Sequence, residues 1–125
     1  LDPISQDACA VYENQGIYKD FSVNVEEVDE GDEIAKALGD KKVAILQNHG
    51  ILTTGPSVDI ALWFYMSMER CCQAQLMADS AGEPVIIPHE TAVKTREFIA
   101  NDIAAWASYQ PAFDKIIKMQ PDLLD

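Results

Sequence analysis

A chain of 125 residues, 48% hydrophobic and 24% charged, carries enough apolar side chain for one domain with a buried core and too much for intrinsic disorder. Its 21 acidic residues against 9 basic give a formal net charge of −12, a potential that repels phosphate backbones and anionic lipid heads. Nucleic acid and membrane surfaces are therefore excluded as expected partners. No apolar run approaches the ~20 residues of a membrane span, and no basic segment leads into an apolar one as in a secretory signal. Three cysteines, two of them vicinal at Cys71 and Cys72, make no disulfide framework. Free, mostly buried thiols in a reducing compartment, the cytoplasm, are the expectation. The first residue is Leu1 rather than Met, which suggests a fragment or a processed product.

The chain opens with Ser5 as a helix N-cap and Asp7 in the first turn, followed by an apolar stripe of Ile4, Ala8, Val11 and Tyr12. That helix is expected to end near Gly16, in a left-handed cap conformation. Phe21, Val23 and Val25 then alternate with polar residues, a period-2 strand pattern. Glu26, Glu27, Asp29, Glu30, Asp32 and Glu33 form an acidic run without the ligand alternation of a calcium loop, so it reads as a solvated surface turn. A short helix starting at Gly31 or Asp32 should bury Ile34, Ala35, Ala37 and Leu38 and stop at Gly39.

Residues 42–55 are the stretch around which the rest is arranged. Residues 43–46, Val-Ala-Ile-Leu, have the length and composition of a buried strand, and they deliver Asn48-His49 at its end. Gly50 frees the backbone to turn, and residues 51–54 form a second β-prone run. A histidine so placed is a metal ligand, a catalytic base, or a core imidazole bonded to backbone. A long helix is expected over residues 57–81, with Ser57 as N-cap and Gly82 as stop. Its first half is apolar nearly all round, and Trp63-Phe64-Tyr65 reads as core or oligomer packing in preference to an aromatic ligand platform. Residues 83–88 contain two prolines and should be extended. A further helix should start at His89, an exposed polar residue, and end before Pro111. A last short helix should carry Phe113, Ile116 and Ile117. Helices alternating with short strands imply an α/β or α+β sheet domain.

The residues contain no complete active site. The histidines are forty positions apart, and HxH, HExxH, CxxC, GxSxG and phosphate-loop patterns are all missing.

The stretch Ile45-Leu46-Gln47-Asn48-His49-Gly50-Ile51-Leu52-Thr53-Thr54-Gly55, followed by Ser57-Val58-Asp59-Ile60-Ala61 and Glu69-Arg70-Cys71-Cys72, resembles the class II aldolase/adducin head family. Pro3-Ile4-Ser5-Gln6-Asp7-Ala8-Cys9-Ala10 resembles a stretch upstream of that motif, so the resemblance covers essentially the whole chain. It implies an α/β/α sandwich with a partly antiparallel sheet, often assembled as a homo-oligomer. It also implies a divalent cation, commonly Zn²⁺, held by three histidines. Two of these come from an upstream H-x-H strand, and the third resembles His49. A glutamate from farther upstream does acid/base work. In such sites the metal acts as a Lewis acid on a carbonyl or enediolate oxygen.

This sequence departs from that pattern, because no H-x-H precedes His49. The expectation is that residues 1–125 are one partial domain, the C-terminal part of a class II aldolase-like fold, with His49 as its metal ligand. Asn48 and Glu69 are candidates to support that ligand from behind, although Glu69 fits a surface ion pair as well. Two functions follow. In the first, the intact protein is a metal-dependent lyase (aldolase, epimerase, dehydratase or decarboxylase) acting on a small sugar-like or sugar-phosphate substrate, and these residues alone are inactive and bind metal weakly. In the second, it is a non-catalytic head domain, like that of adducin, for oligomerisation or cytoskeletal binding. An open sheet edge and the apolar helix should favour self-association of the isolated residues.

Overall fold

The computed structural model describes residues 1–19 and 28–125. The strand pattern at Phe21, Val23 and Val25, and the acidic residues Glu26 and Glu27, lie outside the described residues. Ser5 caps a single helical turn, α1 (Gln6–Cys9), its Oγ accepting from the Ala8 N–H at 3.1 Å. The helix expected to run on toward Gly16 ends sooner. Residues 11–13 form turns, Glu13 adopts φ 55°, and the chain enters β1 (Gln15–Tyr18). Gly16 is thus a strand residue and not a left-handed cap. Its missing side chain serves close packing instead: a Cβ there would lie 2.1 Å from the carbonyl oxygen of Ala37 in α2 (Val28–Leu38).

Helix α2 starts ahead of Gly31, the expected first residue, because acidic sequence suits a helix N-terminus as well as it suits a turn. It stops where Gly39 takes φ 57° and donates its N–H to the Ala35 carbonyl at 2.8 Å. Ile34, Ala37 and Leu38 are half-buried, whereas Ala35, expected on the inner face, is exposed. Asp32 and Glu33 are also exposed, and Glu33 pairs with Lys36 on the same helix.

The three strands order β1-β2-β3, with β2 (Val43–Leu46) parallel to β1 and antiparallel to β3 (Gly50–Thr53). The register aligns Gly16, Ala44 and Leu52 in one row and Ile17, Ile45 and Ile51 in the next, on opposite faces of the sheet. Helix α2 covers the first face. On the second lies α3 (Val58–Ala81), N-capped by Ser57, whose Oγ accepts from the Ile60 N–H at 3.4 Å. Val43 joins Val11, Ile60, Phe64, Met68 and Ala105 in the core, with Ile45 and Ile51 packed against it. The result is a mixed α/β sheet with helices on both faces.

One stripe of α3 enters that core: Ile60, Phe64, Met68 and Cys71. Trp63 is half-buried, edge-on to Phe64 at 4.8 Å between ring centroids, while Leu62 and Tyr65 are exposed. The all-round apolar first half is therefore only partly covered by the described residues.

Beyond residues 83–88, which are neither helix nor strand, the single helix expected from His89 to before Pro111 is divided in two. It breaks after α4 (His89–Ile99), and Asn101 caps α5 (Asp102–Met119), accepting from the Ala104 N–H at 2.9 Å. Pro111, expected as a stop, lies inside α5. It withholds one N–H from the Ala107 carbonyl, but Ala107 is exposed and α5 packs along α3, so the helix continues through it. Among the described residues no helix is long and apolar enough to cross a membrane.

Candidate functional site

The burial of β2 on both faces explains how an exposed imidazole comes to rest on a rigid base. Val43, Ala44 and Leu46 are buried, and Leu46 pairs with Gly50 across the hairpin. Between them Gln47, Asn48 and His49 form a three-residue turn, closed by the His49 N–H donating to the Leu46 carbonyl at 3.0 Å. The left-handed residue of this turn is Asn48, at φ 60°. Asparagine tolerates that conformation better than most side chains, so Asn48 does the turning that the sequence assigned to Gly50.

The turn is also tied sideways, the Gln47 N–H donating to the Tyr18 carbonyl at 2.9 Å. Because β1 and β2 are parallel, this bond brings the C-terminal ends of two neighbouring strands together, the place where open α/β sheets hold ligands. Tyr18 in turn donates its hydroxyl to Glu30 Oε1 on α2 at 3.4 Å. Sequence reasoning did not single out Tyr18, and it read Glu30 only as part of a solvated acidic run. The parallel register places Tyr18 beside the histidine turn, and nothing local in the sequence fixes that register.

His49 is exposed, and its ring makes no hydrogen bond among the described residues. A core imidazole bonded to backbone is thereby excluded. Glu69 is exposed on α3 and accepts from Gln73 Nε2 at 3.3 Å, one turn along the same helix. No hydrogen bond joins Asn48 or Glu69 to the His49 ring. His89 heads α4, where its Nδ1 lies 3.1 Å from the Tyr12 hydroxyl and 3.7 Å from Glu13 Oε1.

A divalent cation needs about three protein ligands. Among the described residues no group of three or more His, Cys, Asp or Glu side chains is placed to hold one. His49 offers one imidazole without a second donor, so these residues alone do not fit a metal ion, and no chemical step is drawn through one. A groove of ≈ 790 Å³ lies between α3 and α5, bordered by Trp63, Arg70, Phe98, Ile103 and Tyr109, but His49 is not part of its wall. The thiols are poor nucleophiles. Burial pushes Cys9, Cys71 and Cys72 up, and Cys71 reaches about 11 through burial first and the nearby Asp7 carboxylate second.

Comparison with known proteins bears on this hairpin directly. Residues 1–76 match the family model "Class II Aldolase and Adducin N-terminal domain". Over 123 residues the chain is 39% identical to Decarboxylase NovR of Streptomyces niveus, covering 98% of this chain and 46% of that protein. It is 37% identical to the 4-hydroxy-3-prenylphenylpyruvate oxygenase/4-hydroxy-3-prenylbenzoate synthase of Streptomyces roseochromogenus subsp. oscitans, covering 98% of this chain and 44% of that one. Among solved structures, the L-fuculose 1-phosphate aldolase from Glaciozyma antarctica PI12 superposes with a TM-score of 0.86 at 34% identity, over 98% of this chain and 45% of its own. The chain thus spans about half the length of the curated relatives it matches. With its mixed sheet, flanking helices and His49 hairpin, the chain belongs to the class II aldolase and adducin family.

Proposed function

We propose that the whole protein is a lyase-type enzyme acting beside the carbonyl group of a small molecule, and that these 125 residues are part of a single class II aldolase-like domain within it. Aldolase, epimerase, dehydratase and decarboxylase chemistry on a sugar-like or sugar-phosphate substrate all fall within this reading. The supporting observation is the unbonded, exposed imidazole of His49 on a turn fastened to two parallel strand ends. In this proposal His49 is one ligand of a divalent cation, Zn²⁺, and the remaining ligands come from residues outside the 125. The chain's own part is to hold that imidazole rigidly, through Asn48 and the Gln47–Tyr18 bond, with a homo-oligomer as the assembled form. Three free thiols suit the cytoplasm.

The family also contains adducins, and a head domain for oligomerisation or cytoskeletal binding is the competing reading. Two relatives that align along 98% of the chain carry the names decarboxylase and aldolase, and both names describe carbon–carbon bond cleavage. That favours the lyase. The test uses the full-length protein, by elemental analysis of bound metal and lyase assays before and after chelation. His49→Gln should lower metal content and cut turnover by about 10²-fold or more. Unchanged metal content and turnover in that variant would remove His49 from the site. A wild-type protein with neither metal nor lyase activity would favour the adducin-like reading.

A further inference from the structure

Away from the hairpin, the fold gathers four side chains from distant parts of the sequence, Tyr12 and Glu13 on the α1–β1 turn and His89 and Arg96 on α4. The Tyr12 hydroxyl is 3.1 Å from His89 Nδ1, and the two rings meet edge-on with centroids 5.8 Å apart. Glu13 Oε1 is 3.7 Å from the same Nδ1, and Glu13 Oε2 is 3.9 Å from Arg96 Nη1. Arg96 also donates to the Tyr12 carbonyl at 2.7 Å. Glu13 itself is in the left-handed region at φ 55°, a conformation that costs energy unless its surroundings hold it.

A single ring nitrogen therefore faces a hydroxyl and a carboxylate, and only its protonated form can bond the carboxylate. In the neutral imidazole Nδ1 has a free lone pair and accepts the Tyr12 O–H, with the ring proton on Nε2. In the imidazolium Nδ1 carries a proton and becomes a donor, which suits the Glu13 carboxylate. The Tyr12 hydroxyl can then no longer donate to Nδ1, and its neutral oxygen is a weaker acceptor of the Nδ1 proton than the charged carboxylate. Arg96 bonds the Tyr12 carbonyl, a backbone group that neither state of the imidazole touches. The other charged groups beside His89 are on its own helix, where Glu90, Lys94 and Glu97 share a shallow depression with it.

We infer that His89 is a pH-dependent partner switch, clasping the α1–β1 turn through Tyr12 when neutral and through Glu13 when protonated. The clasp lies where the chain is about to enter the sheet. The next residue, Asn14, accepts the Lys42 N–H at 3.0 Å, just ahead of β2.

Histidine-selective NMR of the full-length protein, at about pH 5 and about pH 8 on either side of the ordinary imidazole range, tests this. Tyr12→Phe keeps the edge contact and removes the hydroxyl. It should shift the His89 ring signals at the higher pH and leave them in place at the lower, with His49 as an internal reference. Glu13→Gln should do the reverse. Variants that move the signals equally at both pH values, or not at all, overturn the switch. Should assignment of the ring signals fail, double-mutant unfolding cycles supply a second measurement. Tyr12–His89 coupling should be about 2- to 5-fold in the unfolding constant at the higher pH and weaken at the lower, while Glu13–His89 coupling strengthens there. Coupling that is independent of pH also overturns it.

Discussion

The Gln47 N–H and the Tyr18 carbonyl, 2.9 Å apart, fasten the turn that carries His49 to the end of the neighbouring parallel strand. A side chain on a two-stranded hairpin would wander with its turn, but this turn is held from a third point. Two of its residues make main-chain bonds, Gln47 to Tyr18 and His49 to Leu46, and the residue between them is in the left-handed region. The placement of the imidazole is therefore a backbone property, and it can be perturbed without touching the imidazole.

Asn48 is the position for that experiment. At φ 60°, Asn48→Gly should fold with stability within a few tenths of a kcal/mol of wild type, whereas Asn48→Val should lose about 1–2 kcal/mol, because a β-branched side chain clashes in this region. Denaturant unfolding of the full-length protein measures both. If the Asn48 side chain supports His49 chemically, Asn48→Gly should lower turnover while leaving the melting temperature in place. If its part is conformational alone, Asn48→Gly should retain activity and Asn48→Val should not.

Two glycines, one in β1 against a helix and one in the open on α2, should respond oppositely to the same change. Gly16→Ala puts a methyl 2.1 Å from the Ala37 carbonyl oxygen, a backbone atom that cannot swing away, so α2 must lift from the sheet. A loss of about 3 kcal/mol is expected. Gly31→Ala adds a methyl with nothing within 4 Å, in the interior of α2. It should stabilise by roughly 0.5–1 kcal/mol through helix propensity and a less free unfolded chain. Equal effects in urea unfolding would mean that α2 does not pack on β1 through Gly16.

Much of this architecture was legible in the sequence because its signals are local. Ser5, Ser57, Gly39 and Gly82 mark helix ends by their own chemistry, and Val43 to Leu46 are too apolar to be anything but buried. What escaped was non-local or compensated. The close approach that Gly16 permits depends on Ala37, distant in sequence. The break at Asn101 falls inside what the sequence suggested was one helix from His89, and Pro111 looked like a stop because the packing of α5 on α3 cannot be seen from residues 102–119 alone. The candidate site divides in the same way. The Asn-His turn could be read, but its neighbour Tyr18 arrives through strand register and Glu30 through the packing of α2 on β1. The carboxylate beside His89 likewise comes from the opposite end of the chain.

The two corrections in the C-terminal helices give a matched pair of predictions. Asn101→Ala removes the acceptor of the Ala104 N–H and should cost about 1 kcal/mol. Pro111→Ala restores an N–H to the interior of α5 and should stabilise by roughly 1–3 kcal/mol, the gain reduced by the extra freedom of the unfolded chain. Thermal unfolding of the two variants would show opposite shifts. A destabilised Pro111→Ala would mean that the proline ring itself packs against a neighbour.

The buried thiol of α3 sets an alkaline limit. Cys71 ionises near 9.0 in an unfolded chain but is pushed up to about 11 in the fold, by burial first and the Asp7 carboxylate second. Its contribution to stability is fully present below pH 9.0, where the thiol is neutral in both states, and it is lost as the pH rises through about 11, since only the unfolded chain gains by ionising. Urea unfolding of wild type and Cys71→Ala across that interval isolates this thiol from the lysines and tyrosines that titrate in both proteins. The variant should be less stable near neutral pH by about 1 kcal/mol, from lost packing. Its stability should then fall less steeply with pH, so that the two curves converge. Parallel curves would show that Cys71 ionises as readily in the folded protein as in the unfolded chain. In that case it would also react with iodoacetamide at the rate of an exposed thiol, whereas a neutral buried thiol should be alkylated more slowly than the half-buried Cys72.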